Sequence, residues 1–143
     1  MFNQKIKVLI VDDAPSIIEV LKSMNEKLGV RDIFTSNNGF DAIDAAIKHK
    51  PDVIFLDIVM PFLDNTTPLL DGIQTLKMLK AIEDTKGINV IMVSGNLDHR
   101  NVATTLMYGA TDYIAKPFQI DTLKSKLLKL YPNVFCDSFE EAI

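Results

Sequence analysis

Five side chains in this sequence could act together as one chemical site: Asp12, Asp13, Asp57, Ser94 and Lys116, each at or just past the end of a short apolar run. Three converging carboxylates repel one another and stay ionised only beside positive charge. Lys116 can supply one such charge and a divalent cation another. Carboxylate oxygens, waters and a phosphate oxygen suit the octahedral demands of Mg²⁺, with Mn²⁺ as the alternative. Zinc would call for sulfur or imidazole, which this set lacks. A carboxylate held beside such a cation is also a nucleophile toward phosphorus, giving an aspartyl phosphate. Asp57 is the candidate for that role, because it sits in an otherwise apolar run and a buried carboxylate needs a partner or a task. Lys116 would then neutralise phosphoryl oxygens while Ser94 donates a hydrogen bond to one of them.

Taken singly, most of these residues have plainer explanations. Asp12 and Asp13, just ahead of Pro15, could simply favour a helix N-terminus. Ser94-Gly95 reads as a turn, and Lys116 as a surface lysine. Their meaning depends on elements that bring them to one place. Five apolar runs, at 6–11, 30–35, 53–57, 88–93 and 112–115, alternate with stretches of helical periodicity, the pattern of βαβ units and a parallel sheet. The helical stripes are Ile17, Leu21, Met24 and Leu28; Phe40, Ile43 and Ile47; Ile73, Leu76, Leu79 and Ile82; Val102 and Leu106; and Ile120, Leu123, Leu127 and Leu130. Pro15 opens the first helix and Gly29 follows its end. The expected fold class is therefore α/β: a doubly wound, five-stranded parallel sheet with helices on both faces. Ligands of such sheets bind at the carboxyl ends of the strands, where these polar residues fall.

Composition narrows the function classes. The 143 residues suit one domain, and 15 basic against 19 acidic side chains leave a net charge of −4 with no basic footprint for nucleic acid. The lone Cys136 forms no internal disulfide, and the sequence shows neither a signal peptide nor a membrane span, so a cytoplasmic location is expected. Glycine-rich phosphate loops and dinucleotide fingerprints are absent from the sequence. His49 and His99 read as solvated, and Met24, Met78, Met92 and Met107 as packing residues. Asp64 and Asp71 read as turn and cap residues.

The motifs Val8-Leu-Ile-Val-Asp-Asp13, Val53-Ile-Phe-Leu-Asp-Ile-Val-Met-Pro61, Asp71-Gly72, Val93-Ser94-Gly95, Gly109-Ala110 and Asp112-Tyr-Ile-Ala-Lys-Pro-Phe118 resemble, in order, those of two-component response regulator receiver domains, close to the single-domain chemotaxis type. That resemblance implies a flavodoxin-like strand order 2-1-3-4-5 and a receiver domain over 1–131, followed by a tail, 132–143. It implies a phosphoacceptor at Asp57, metal ligands at Asp12, Asp13, Asp57 and the backbone carbonyl of Val59, and a phosphate-pairing Lys116. It also implies a switch formed by Ser94 and Tyr113 and a cis bond before Pro117. The implied partners are a sensor histidine kinase or histidine phosphotransfer protein and a downstream target bound through the face formed by the fourth helix, fifth strand and fifth helix, without direct nucleic acid or membrane insertion. The implied protein is a signalling switch that catalyses its own phosphotransfer and slow dephosphorylation. A phosphorelay carrier and a Mg²⁺-dependent aspartyl-phosphate hydrolase are the alternatives, the second lacking an evident general base.

One departure stands out. The Leu-Asp that follows Met60-Pro61 at Leu63-Asp64 lacks its glycine, and Leu-Asp-Gly recurs seven residues later at Leu70-Asp71-Gly72. The enlarged loop, about 62–70, is expected to shape recognition by a kinase or phosphatase and to be tolerated by the fold. The tail is too short for an effector domain, so output is expected through a bound partner; Phe135, Phe139 and Ile143 have helical spacing.

Overall fold

The computed structural model of the chain describes residues 6–58, 71–95 and 99–132. Its element order is β1 (Lys7–Val11), α1 (Pro15–Lys27), β2 (Asp32–Ser36), α2 (Gly39–His49), β3 (Val53–Asp57), α3 (Gly72–Ala81), β4 (Asn89–Ser94), α4 (His99–Met107), β5 (Asp112–Ala115) and α5 (Ile120–Leu130). All pairings are parallel and the sheet order is β2-β1-β3-β4-β5, as expected. The central strands are apolar on both faces because helices cover both. On one face Leu9, Val11, Ile54, Leu56, Val90 and Met92 pack with α2 and α3. On the other Val8, Ile10, Val53, Phe55, Ile91 and Val93 pack with α1 and α5.

Local chemistry sets the helix limits. Pro15 occupies the first turn of α1, and Gly29 follows its end with φ of 97°. Asp71 caps α3 by accepting from the Gln74 N–H at 2.8 Å, and Gln74 returns a bond to the Asp71 N–H, a full capping box. Gly72 has a tertiary reason: a Cβ there would lie 1.9 Å from the Asp57 carbonyl oxygen. Only glycine lets α3 begin against the end of β3.

Four expectations need correction. Phe40 and Ile47 do not form the inward stripe of α2; Ala42, Ile43 and Ala46 face the sheet, because small side chains let the helix approach closely. Leu106 is likewise exposed, and Thr105 is the buried residue of that turn, its hydroxyl donating to the Val102 carbonyl. His49 is not simply solvated but stacks on Phe34 of β2 with ring centroids 3.9 Å apart. Of the methionines, Met92 is core, whereas Met78 and Met107 are exposed. The enlarged loop, Asp64, Val59 and residues 133–143 lie outside the described residues, as does the His99 side chain.

Candidate functional site at the carboxyl edge of the sheet

The strand register brings the polar residues together in a staircase. Val11 pairs with Leu56, so Asp12 and Asp57 emerge side by side; Asp57 pairs with Val93, and Ser94 with Ala115, so Ser94 and Lys116 follow on the next two strands. Pleat phase then sorts them by face. Asp12, Asp57 and Lys116 continue the alternation of Ile10, Phe55 and Ile114, whereas Ser94 shares its phase with Met92 and Tyr113. Ser94 and Tyr113 therefore stand on one face of adjacent strands.

Carboxylate oxygens of Asp12, Asp13 and Asp57 lie within 4.8 Å of one another. Asp12 and Asp57 are buried, at 1% and 4% exposure, while Asp13 is exposed. Lys116 reaches in from the end of β5, its Nζ 3.1 Å from Asp12 Oδ2 and 3.7 Å from Asp57 Oδ1. Its backbone N–H donates to the Ser94 carbonyl at 2.8 Å, and the bond to Pro117 is cis. Asp12 Oδ1 accepts from the Ala14 N–H at 2.9 Å, fixing the carboxylate. Asp12 Oδ2 is buried and makes no hydrogen bond among the described residues; its contact with Lys116 is charge pairing without hydrogen-bond alignment. Partial desolvation, reinforced by the Asp12 carboxylate alongside, raises the Asp13 pKa above the ordinary carboxylate value.

One ammonium against three carboxylates leaves the pocket negative. An all-oxygen donor set that includes a buried, incompletely satisfied carboxylate oxygen fits a hard divalent cation. Ser94 is buried at the adjoining strand end. Tyr113 is half-buried on β5, with the Lys126 ammonium 5.0 Å from its ring centroid and Lys126 paired to Asp112 at 2.9 Å. Each of the five residues singled out by type and spacing thus stands at this edge. Gly72, whose missing Cβ admits α3 beside Asp57, is a supporting residue that spacing alone did not explain.

Comparison with known proteins agrees with this geometry. The response regulator receiver domain family matches residues 8–128, and the chain belongs to that family. It is a receiver domain of two-component signalling. It is 34% identical to sporulation initiation phosphotransferase F of Bacillus subtilis strain 168, over 92% of this chain and 97% of that protein. Among solved structures it is similar to the receiver domain of a sensor histidine kinase from Pseudomonas aeruginosa PAO1, solved with magnesium coordinated in its active-site cleft (26% identity, TM-score 0.75, 88% of this chain and 97% of that one). A chain from the CheX–CheY–BeF3–Mg²⁺ complex of Borrelia burgdorferi is 27% identical with TM-score 0.78, covering 88% and 89% of the two chains.

Proposed function

We propose that this domain accepts a phosphoryl group on Asp57 from a phosphohistidine of a sensor kinase or histidine phosphotransfer protein, and that the added charge changes its binding to a downstream protein. The observation that carries this reading is the cluster of three carboxylates within 4.8 Å, with Lys116 Nζ 3.1 and 3.7 Å from two of them. A carboxylate oxygen of Asp57 attacks phosphorus; the new O–P bond forms as the N–P bond breaks, and that electron pair returns to the imidazole. Asp12, Asp13 and Asp57 would hold Mg²⁺ or Mn²⁺, which when bound supplies positive charge against the phosphoryl oxygens. The Val59 carbonyl is proposed as a further ligand.

Lys116, now shared between Asp12 and Asp57, exchanges a carboxylate oxygen for a phosphoryl oxygen once Asp57 is modified. The Ser94 hydroxyl donates to another phosphoryl oxygen, and Tyr113, on the same sheet face, follows it. The surface that responds is that of α4, β5 and α5, where Leu106 and Met107 are exposed. The domain acts as a switch rather than a turnover enzyme and works in the cytoplasm. A second reading, a carrier that passes the phosphoryl group to another histidine, is favoured by the similarity to a protein named a phosphotransferase. Affinity capture with and without beryllofluoride and Mg²⁺ tests the proposal: a partner retained only with the phosphoryl mimic is expected, and identical binding in both conditions contradicts it.

A further inference from the structure

Tyr113 is held by two residues outside the phosphoryl site, Lys126 and Asp112. β5 is the end strand of the sheet, and Tyr113 packs on the face that carries α2 and α3, whereas α5 covers the opposite face with Leu123 and Leu127. Lys126 of α5 nevertheless reaches round the end strand, because its ammonium stands 5.0 Å from the centroid of the Tyr113 ring. Its place is set by Asp112. The Asp112 Oδ1 atom accepts from the Lys126 ammonium at 2.9 Å and from the Tyr113 backbone N–H at 2.8 Å. One carboxylate oxygen thus ties the strand at Tyr113 to the cation over its ring. The Lys126 and Asp112 side chains are only 20% and 22% exposed, so solvent and salt screen this pairing less than one on an open surface.

The ring so held stands at the outer side of the sheet. A cation–π contact needs the ammonium within about 6 Å of the ring centroid, and 5.0 Å leaves little slack. Met92 pairs with Tyr113 and Ser94 with Ala115, so Ser94 lies one strand inward and two residues further along, on the same face as Tyr113. That diagonal is roughly 8 Å, within reach of an aromatic side chain. A ring turned toward Ser94 moves away from the end of the sheet, where Asp112 anchors the Lys126 ammonium. The inward turn therefore gives up the contact with Lys126.

We propose that Lys126 is a positioning residue for the switch: with Asp112 it holds the Tyr113 ring at the end of the sheet and opposes the inward turn that a phosphoryl group on Asp57 favours. The inference rests on the proposed roles of Asp57, Ser94 and Tyr113, and adds the restraint that sets how far the unphosphorylated chain already populates the turned state. Coupling between two sites is reciprocal, so loosening the restraint strengthens binding of a phosphoryl mimic at Asp57. The sign distinguishes this role from charge alone, since removing a lysine from a domain that binds an anion otherwise weakens that binding.

The test is a double-mutant cycle on the full chain, read by titrating beryllofluoride at fixed Mg²⁺. Lys126→Met keeps the apolar stem without the charge and should bind beryllofluoride about threefold more tightly than wild type, or better. Lys126→Arg, which keeps a cation for both the ring and Asp112, should match wild type. In a Tyr113→Leu background, Lys126→Met should change nothing. Equal or weaker binding by Lys126→Met, or a gain that persists in Tyr113→Leu, overturns the proposal. Fluorine NMR of the chain labelled with 3-fluorotyrosine reads the ring without any phosphoryl mimic. The Tyr113 resonance, assigned by its loss in Tyr113→Leu, should show a smaller H₂O/D₂O solvent shift in Lys126→Met as the ring leaves the surface; an unchanged or larger shift overturns the proposal. Wild type that binds no beryllofluoride overturns the phosphoacceptor reading and this inference with it, a result distinct from equal binding by the two chains.

Discussion

At the amino edge of the sheet the polar groups answer one another. Tyr131 donates to the Asp52 carbonyl at 3.2 Å and accepts from Asn89 Nδ2 at 3.1 Å, Thr111 donates to Asn89 Oδ1, and the Lys7 N–H donates to Asp52 Oδ2 at 2.8 Å. At the carboxyl edge, three carboxylates crowd one ammonium and Asp12 Oδ2 is buried without a hydrogen bond among the described residues. The same sheet, with the same alternation of apolar residues, ends in a satisfied network on one side and an excess of one charge on the other. Satisfied polar groups fasten the fold. A crowded, unbalanced set is stable only with something added, which is why the functional reading attaches to one edge alone.

The largest effect on this contrast is expected from Gly72→Ala. Its Cβ would meet the backbone of β3 itself, so α3 must shift away from Asp57, with a stability loss of about 3 kcal/mol or more in urea unfolding. Lys116→Ala comes next: it leaves the carboxylates without their ammonium, and phosphorylation by a small-molecule phosphodonor should fall at least about 100-fold, as for loss of one electrostatic stabiliser. Tyr131→Phe removes the hydroxyl at the opposite edge and should lower stability by about 1–2 kcal/mol while leaving phosphorylation unchanged. Burial raises the Tyr131 pKa in the folded chain. The stability contributed by the neutral phenol is therefore complete below the unfolded value near 10 and lost as pH rises through the folded value. Wild type should lose stability in that alkaline range more steeply than Tyr131→Phe.

The smallest effect has the opposite sign. The raised Asp13 pKa means that the folded chain holds this proton more tightly than the unfolded chain, so wild type loses stability as pH rises from the unfolded value of 3.8 through the folded one. Asp13→Asn removes that loss. Without divalent cation at neutral pH it should be slightly more stable than wild type, by less than about 1 kcal/mol because the group is exposed. Added Mg²⁺ should reverse the order in thermal melts, by stabilising wild type more.

Where sequence reading succeeded and where it failed follow from the range of the interactions involved. The strands at 53–57 and 112–115 were legible to the residue because their apolar runs are bounded by charged or turn residues. The sheet-edge site was legible because a strand's last residue inherits its place from topology. The inward faces of α2 and α4 were not, because hydropathy favours Phe40, Ile47 and Leu106, whereas close helix-to-sheet approach selected Ala42, Ala46 and Thr105. Nor could periodicity show the need for Gly72, which arises from a backbone approach between segments distant in sequence. The His49–Phe34 stack is hidden for the same reason.

The central claim is that the crowded edge exists to place a phosphoryl group on Asp57. Incubation of the full chain with a small-molecule phosphodonor and Mg²⁺, followed by intact mass and peptide mapping, addresses it directly. One phosphoryl group on Asp57, absent from Asp57→Asn and from reactions depleted of divalent cation, is the predicted result; undiminished labelling of Asp57→Asn, or no labelling of the wild type, would contradict it.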